Sequence, residues 1–221
     1  MSIHLQRDME HLKKAILSLG SMVEEATNKS ILALVDRRPD LSQEVINGDA
    51  HIDREEVEIE EDCLKILALH QPVAADLRFI IGVLKVNNDL ERMGDLCLNI
   101  AERAAYLCSH EPLVPTVEFS SMAKHTLTML RRSLDALIGR NTVLAREVLA
   151  MDDRIDEANR RMFARLQDLM RQDPELIDRC VQLISVSRYL ERIADLTTNI
   201  AEDVVFMIDG ELIRHQPPGG S

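Results

Sequence analysis

The sequence predicts an all-α protein built from two tandem, repeat-related three-helix bundles with six long helices. Three observations predict this fold class. Aromatic residues make up only 3% of the 221 residues, and Leu, Ile, Val, Ala and ten Met supply the apolar volume, which favours helices over strands. Apolar residues recur at three- and four-residue spacing along most of the chain. The stretch 90–102 occurs again, almost unchanged, at 190–202.

The first half of the chain is predicted to form three helices. Their predicted ranges are 3–36, 40–69 and 73–108. Pro39 ends the first helix and Gln71-Pro72 ends the second, because proline cannot continue a helix. Asn47-Gly48 is a candidate kink within the second helix. Helices of this length suit an elongated bundle.

The second half is predicted to repeat this arrangement after a short linker. Pro112 and Pro115 break any helix, so residues 111–116 are predicted to separate a first bundle at 1–110 from a second bundle at 117–210. The predicted helices of the second half lie at 117–138, 142–171 and 175–208. Gly210 is a plausible terminator of the last helix. Residues 211–221 are expected to form a C-terminal tail that is unstructured at its end, 216–221.

Charge and cysteine usage limit the classes of function. The formal net charge is −12 and the pI is about 5.0, which disfavours nucleic acid as a partner and favours cations or basic protein surfaces. The four cysteines contain no CxxC pair and are predicted to be buried thiols in a reducing compartment.

The amino terminus lacks the apolar core of a signal peptide, and no apolar run approaches the roughly 20 residues of a membrane span. A cytoplasmic protein that reaches membranes only through other proteins is therefore expected.

Pairs of acidic residues at positions i and i+4 occur twice in each half. The pairs are Asp49 with Asp53 and Glu91 with Asp95 in the first half, and Asp152 with Asp156 and Glu191 with Asp195 in the second. Like charges at this spacing repel by roughly a few tenths of a kcal/mol. If the second and third helices of each unit pack antiparallel, four carboxylates converge. Such an all-oxygen site suits hard ions such as Mg²⁺, Ca²⁺, Mn²⁺ or iron.

A plainer interpretation remains open for the same acids. They could be solvated faces of long helices, with Arg92 and Arg192 pairing locally with Asp95 and Asp195. The chain has no Glu-x-x-His motif, so the usual ligand set of a catalytic di-iron bundle is missing. It also lacks a Gly-rich phosphate loop.

The two halves differ next to the acidic pairs. In the first half Glu56 and Glu60 extend the acidic stripe, but Asn159 and Phe163 stand at the equivalent positions of the second half. The two sites therefore need not be equivalent.

With these motifs in view, the chain resembles the PhoU family, the phosphate-signalling accessory proteins associated with bacterial phosphate uptake. The matching stretches are 71–78 and 89–95 in the first half, and 189–195, 198–202 and 210–215 in the second. The resemblance covers residues 1–215. It departs from the family at Ala194, where a glycine is common, and at Leu196-Thr197, where the family often has His-Ala.

The resemblance implies a PhoU-like pair of three-helix bundles in which E(D)xxxD pairs hold multinuclear metal clusters in some members. Carried over to this sequence, the four acidic pairs are the candidate metal ligands, and Fe, Zn, Mn or Mg are the candidate ions. Weaker supporting candidates from the same stripes are Asn99, Glu102, Asn199 and Glu202.

The resemblance also implies a regulatory role without catalysis. The chain is expected to be an adaptor that links the phosphate ABC transporter to a membrane sensor histidine kinase, negatively regulates the phosphate-starvation response and modulates uptake. A homodimer is expected, with no nucleic acid partner and no direct membrane insertion. The alternatives are a carboxylate-bridged metal-dependent enzyme and a metal-free helical scaffold.

Overall fold

The computed structural model describes residues 3–113 and 117–210. Its helices are α1 (Ile3–Val35), α2 (Pro39–His70), α3 (Ala74–Cys108), α4 (Val117–Gly139), α5 (Thr142–Leu149), α6 (Asp153–Gln172) and α7 (Ile177–Asp209), with a 3-10 turn over Pro174–Leu176. The described residues contain no strand, and the all-α fold of two three-helix bundles is confirmed. The expected tail at 211–221 and part of the linker, 114–116, lie outside the described residues.

Helices α1, α2 and α3 pack against one another and form the first bundle. Pro39 lies in the first turn of α2, where its fixed φ suits the helix. The carboxyl end of α2 is capped by Gln71, which has a φ of 45° and donates its backbone N–H to the Leu67 carbonyl at 3.2 Å. α2 remains helical through Asn47-Gly48. All predicted helices except the fifth agree with the observed ranges to within two residues.

The predicted fifth helix, 142–171, is wrong in one respect, because it is divided at residues 150–152 into α5 and α6. The Met151 N–H bonds to the Val148 carbonyl at 2.9 Å, a tighter turn than that of an α-helix. The Met151 carbonyl lies 3.0 Å from Nε2 of His125 on α4. The same carbonyl also accepts from the Arg154 N–H at 3.4 Å, so the His125 side chain adds a second hydrogen bond at the break.

The two bundles share one continuous apolar core, in which α3 packs against α7 and α1 packs against α4. Gly20 of α1 lies so close to α4 that an added Cβ would overlap Cδ1 of Leu134. Between α3 and α7, Nζ of Lys85 lies 3.0 Å from Oδ1 of Asp203, a carboxylate that is only 4% exposed. Because α3 and α7 each belong to a bundle and to this interface, they form the centre of the molecule.

The repeat is visible in the burial of these two central helices. Each residue from 91 to 100 falls in the same burial class as the residue 100 positions later. Glu91 and Asp95 therefore lie at the surface of α3 as Glu191 and Asp195 lie at the surface of α7. Within the described parts of the chain, no helix is both long and apolar enough to cross a membrane.

Candidate metal site

In the first bundle, polar residues of α2 and α3 face each other in successive pairs. A short turn joins these helices, so they run antiparallel, and Nδ2 of Asn87 donates to the Glu56 backbone carbonyl at 2.8 Å. This contact sets the register of the two helices. Because they run antiparallel, each turn back along α2 faces one turn forward along α3. The three pairs are Glu56 with Asn87, Asp53 with Glu91 and Asp49 with Asp95. We call these six residues the first ladder.

The second bundle repeats the arrangement on α6 and α7. Oγ of Ser187 lies 2.7 Å from Oδ1 of Asn159 and donates to it, which fixes the register in the same way. The three pairs are Asn159 with Ser187, Asp156 with Glu191 and Asp152 with Asp195. We call these six residues the second ladder. Sequence reasoning missed Asn87 and Ser187, although both occupy the same position of the repeat.

The carboxylates of the second ladder are the more closely gathered. One oxygen from each of Asp152, Asp156 and Asp195 lies within 4.8 Å of the others. Among residues 3–113 and 117–210 no other group of three His, Cys, Asp or Glu side chains meets this distance. The acids of the first ladder share one face, as the sequence predicts, but they are spread more widely.

Burial, and then repulsion between neighbouring acids, raises the pKa values of three carboxylates in the second ladder. Burial, followed by the charges of Asp156 and Asp195, raises the pKa of Asp152 to about 6. The pKa of Asp195 is raised by burial and by Asp156, although Arg192 acts in the opposite direction. Burial and the neighbouring acids likewise raise the pKa of Glu191. The folded chain therefore holds these carboxylates at a cost that a cation can offset.

The first ladder shows the same effect. Burial is the largest cause of the raised pKa of Asp49, and Asp53 and Asp95 add to it. The pKa of Glu91 is also raised, first by burial and then by the surrounding acids. The direction is the one expected of carboxylates that share a site without a compensating charge.

The acids of the ladders lack protein partners that would neutralise them. In the described part of the chain, none of the eight predicted ligands forms an ion pair within 4.0 Å or a side-chain hydrogen bond. Arg92 approaches Asp89 at 3.7 Å rather than Asp95, so the local pairing considered from the sequence is not formed there. Oδ1 of Asp152 is buried and has no hydrogen-bond partner. An orphaned buried carboxylate oxygen fits a bound cation better than a solvated helix face.

Three of the four weaker supporting candidates line clefts between α3 and α7, and Asp95 and Asp195 line one of these clefts. Nδ2 of Asn99 donates to the Asp95 backbone carbonyl at 2.7 Å, and Glu102 lies 3.6 Å from Arg103. Asn99 and Asn199 line a polar cleft of about 400 Å³ between α3 and α7, and Glu202 lines a second cleft along the same interface. Their part in cation binding stays a prediction.

The donor set defines the ions that the ladders suit. The four acidic pairs offer only carboxylate oxygens, which are typical ligands of Mg²⁺, Mn²⁺ and iron. A cation bound by both α6 and α7 would neutralise the acids and join the two helices. The chemistry that it supplies is therefore charge compensation and cross-linking.

Comparison with known proteins relates both bundles to one family. The model of the PhoU domain matches residues 16–104 and 119–204. The phosphate-specific transport system accessory protein PhoU homolog of Aquifex aeolicus is 39% identical over 96% of each chain. The homolog from Pseudomonas putida is 35% identical over 97% of this chain and 84% of its own.

Solved structures agree with this relationship. The crystal structure of PhoU from Pseudomonas aeruginosa has a TM-score of 0.89 and 35% identity, covering 93% of this chain and 99% of that one. The phosphate transport system regulatory protein PhoU from Streptococcus pneumoniae has a TM-score of 0.88 and 31% identity, covering 95% and 99%. Because the family match includes both bundles and the identity extends over nearly the whole length, this chain belongs to the PhoU family.

Proposed function

We propose that this chain is a cation-binding accessory protein of phosphate transport. In this role it links the phosphate ABC transporter to a membrane sensor histidine kinase and represses the phosphate-starvation response. The names of its relatives support the role in transport. The observation that carries the cation-binding part is Asp152, whose buried Oδ1 has no hydrogen-bond partner while two further carboxylates converge on it.

The position of the ladders supports a regulatory rather than a catalytic role. Both ladders include the central helices, since α3 carries half of the first and α7 carries half of the second. These helices pack directly against each other. Cation binding at either ladder therefore acts on the interface between the bundles, where a change in helix packing reaches both halves.

An adaptor also needs surfaces for protein partners, and the repeat provides a pair of them. Leu77 and Ile81 on α3 are 38% and 40% exposed, and their counterparts Ile177 and Val181 on α7 are 44% and 46% exposed. Exposed apolar side chains that recur at equivalent positions favour protein contacts over solvent. We include in the proposal a homodimer in the cytoplasm that is recruited to the membrane through its partners.

Two measurements test this function. In the host organism, deletion of the gene should release alkaline phosphatase expression in high phosphate, and the intact gene should restore repression. Normal repression in the deletion strain contradicts the regulatory role.

For the purified protein, Mn²⁺ should raise the melting temperature, and the triple variant Asp152→Asn, Asp156→Asn, Asp195→Asn should lose much of this increase. The exposed α4 variant Asp135→Asn is the matched control.

A further inference from the structure

The two ladders differ at one of their three pairs. In the first ladder this pair is Glu56 with Asn87, and in the second it is Asn159 with Ser187. The other two pairs are acidic in both. The first ladder therefore contains one carboxylate that has no counterpart in the second.

The carboxylate of Glu56 is held in place from the neighbouring helix. Asn87 is 1% exposed, and its Nδ2 donates both to the Glu56 backbone carbonyl at 2.8 Å and to Oε1 of the Glu56 side chain at 2.9 Å. Oδ1 of Asn87 is buried and has no hydrogen-bond partner. A buried amide that is only partly satisfied is costly, and the two hydrogen bonds to Glu56 offset part of that cost.

Glu56 is also electrostatically part of the first ladder. Its pKa is raised by burial, then by Glu60 and Asp53, and it in turn contributes to the raised pKa of Glu91. No Lys or Arg in the described ranges forms an ion pair with it within 4.0 Å. A hydrogen bond from Asn87 leaves the second carboxylate oxygen, Oε2, available to a cation.

The equivalent position of the second ladder is closed without charge. Oγ of Ser187, a residue that is 1% exposed, donates to Oδ1 of Asn159 at 2.7 Å. This neutral bond joins α6 to α7 at the same point where the first ladder presents an acid. A neutral hydrogen bond is therefore enough to join the two helices at this position. The negative charge of Glu56 is not needed for that purpose.

We propose that Glu56 is an additional cation ligand of the first ladder, that Asn87 is its positioning residue, and that the second ladder has no equivalent ligand. The inference rests on the proposed cation binding. Removing Glu56 should therefore weaken cation binding at the first ladder alone.

The test uses the full chain and Mn²⁺, with the free ion measured by electron paramagnetic resonance. Asp152→Asn with Asp195→Asn disables the second ladder, and in that protein Glu56→Gln should lower the affinity for Mn²⁺ about tenfold or more. Glu58→Gln, an exposed neighbour on α2, is the matched control and should change it less than about twofold. Equal affinities for these two variants overturn the proposal.

A second arm tests the restriction to one ladder. Asp49→Asn with Asp95→Asn disables the first ladder, and in that protein Glu56→Gln should leave Mn²⁺ affinity unchanged. An equal loss in both proteins means that the substitution acts on the fold, and it overturns the proposal.

The positioning role of Asn87 requires a double-mutant comparison. Asn87→Ser should weaken Mn²⁺ binding at the first ladder when Glu56 is present and have no further effect once Glu56→Gln is made. Additive losses overturn the positioning role. If the unaltered protein binds no Mn²⁺, the proposed function fails and this inference with it, whereas binding that ignores Glu56→Gln contradicts the inference alone.

Discussion

Gly94 of α3 lies directly against Ile52 of α2, so that a Cβ added at Gly94 would be 3.1 Å from Cγ2 of Ile52. The equivalent pair in the second bundle is Ala194 with Ile155, where the methyl group is already present. The helix that faces Ala194 is also the one divided at residues 150–152. The two bundles therefore differ in backbone path at the point where each ladder is built.

We expect Gly94→Ala to destabilise the protein by about 1 to 2 kcal/mol. The added methyl overpacks against a β-branched side chain with little rotamer freedom, and this outweighs the gain in helix propensity. Chemical denaturation measures the change. The reverse substitution Ala194→Gly serves as the comparison, because it should lose about 1 to 2 kcal/mol through helix propensity and the loss of a buried methyl, without any overpacking.

Gly94→Ala should also weaken Mn²⁺ binding at the first ladder, since the added methyl pushes α2 away from α3. Gly94→Ala with unchanged stability and unchanged affinity would show that Ile52 moves aside freely.

The metal-free protein should become more stable as pH falls from about 7 to about 5. The pKa of Asp152 is raised from 3.8 to about 6, so protonation favours the folded state. This contribution is complete below the unfolded pKa and is lost as pH rises through the folded pKa. Acids with a lowered pKa, such as Asp8 and Asp40, act below this window because their ordinary value is 3.8.

Asp152→Asn should reduce this pH dependence and stabilise the metal-free protein at pH 7 by about 1 kcal/mol, a value reduced for partial solvent exposure. Melting temperatures measured in the presence of a chelator provide the test. Asp135→Asn should leave the pH profile of the parent intact. A melting temperature that falls between pH 7 and pH 5 in the parent protein would contradict this account.

His125→Ala should loosen the break between α5 and α6. It removes one donor to the Met151 carbonyl and should lower the free energy of unfolding by about 1 kcal/mol. Because the turn leads directly into Asp152, Mn²⁺ affinity at the second ladder should fall as well. Lys124→Ala, an exposed neighbour on α4, is the control for both measurements. An unchanged Mn²⁺ affinity would show that the break between α5 and α6 does not affect cation binding at the second ladder.

Much of the fold could be predicted because long helices leave strong local signals. Apolar spacing and the prolines located five helices to within two residues. The division of α5 from α6 could not be predicted, since the group that binds the Met151 carbonyl comes from His125, 26 residues earlier in the chain. A long-range contact of this kind has no periodic pattern.

The acidic pairs of the ladders were predictable because the repeat displays them twice. The sequence alone could not distinguish how closely each set is gathered. That difference depends on packing between helices, such as the approach of Ile52 to Gly94, and on buried hydrogen bonds such as that of Asn87. Packing and buried contacts are set by tertiary structure rather than by local propensity.

Lys85→Met should destabilise the contact between α3 and α7 by about 1 to 2 kcal/mol. The substitution removes an ammonium 3.0 Å from the Asp203 carboxylate, which stays buried at 4% exposure. The loss should be smaller than for a fully buried pair, because the Lys85 side chain is 40% exposed. Arg171→Met, which breaks an exposed pair with Asp168, should change stability by less than about 0.5 kcal/mol.

Adding Asp203→Asn to Lys85→Met should recover part of the lost stability, because the amide does not carry the charge that Lys85 compensates. Chemical denaturation of both single variants and the double variant gives the coupling between the two residues. If the losses simply add, the ion pair does not stabilise the interface. In that case the apolar packing of α3 on α7, rather than this ion pair, stabilises the contact between the two helices.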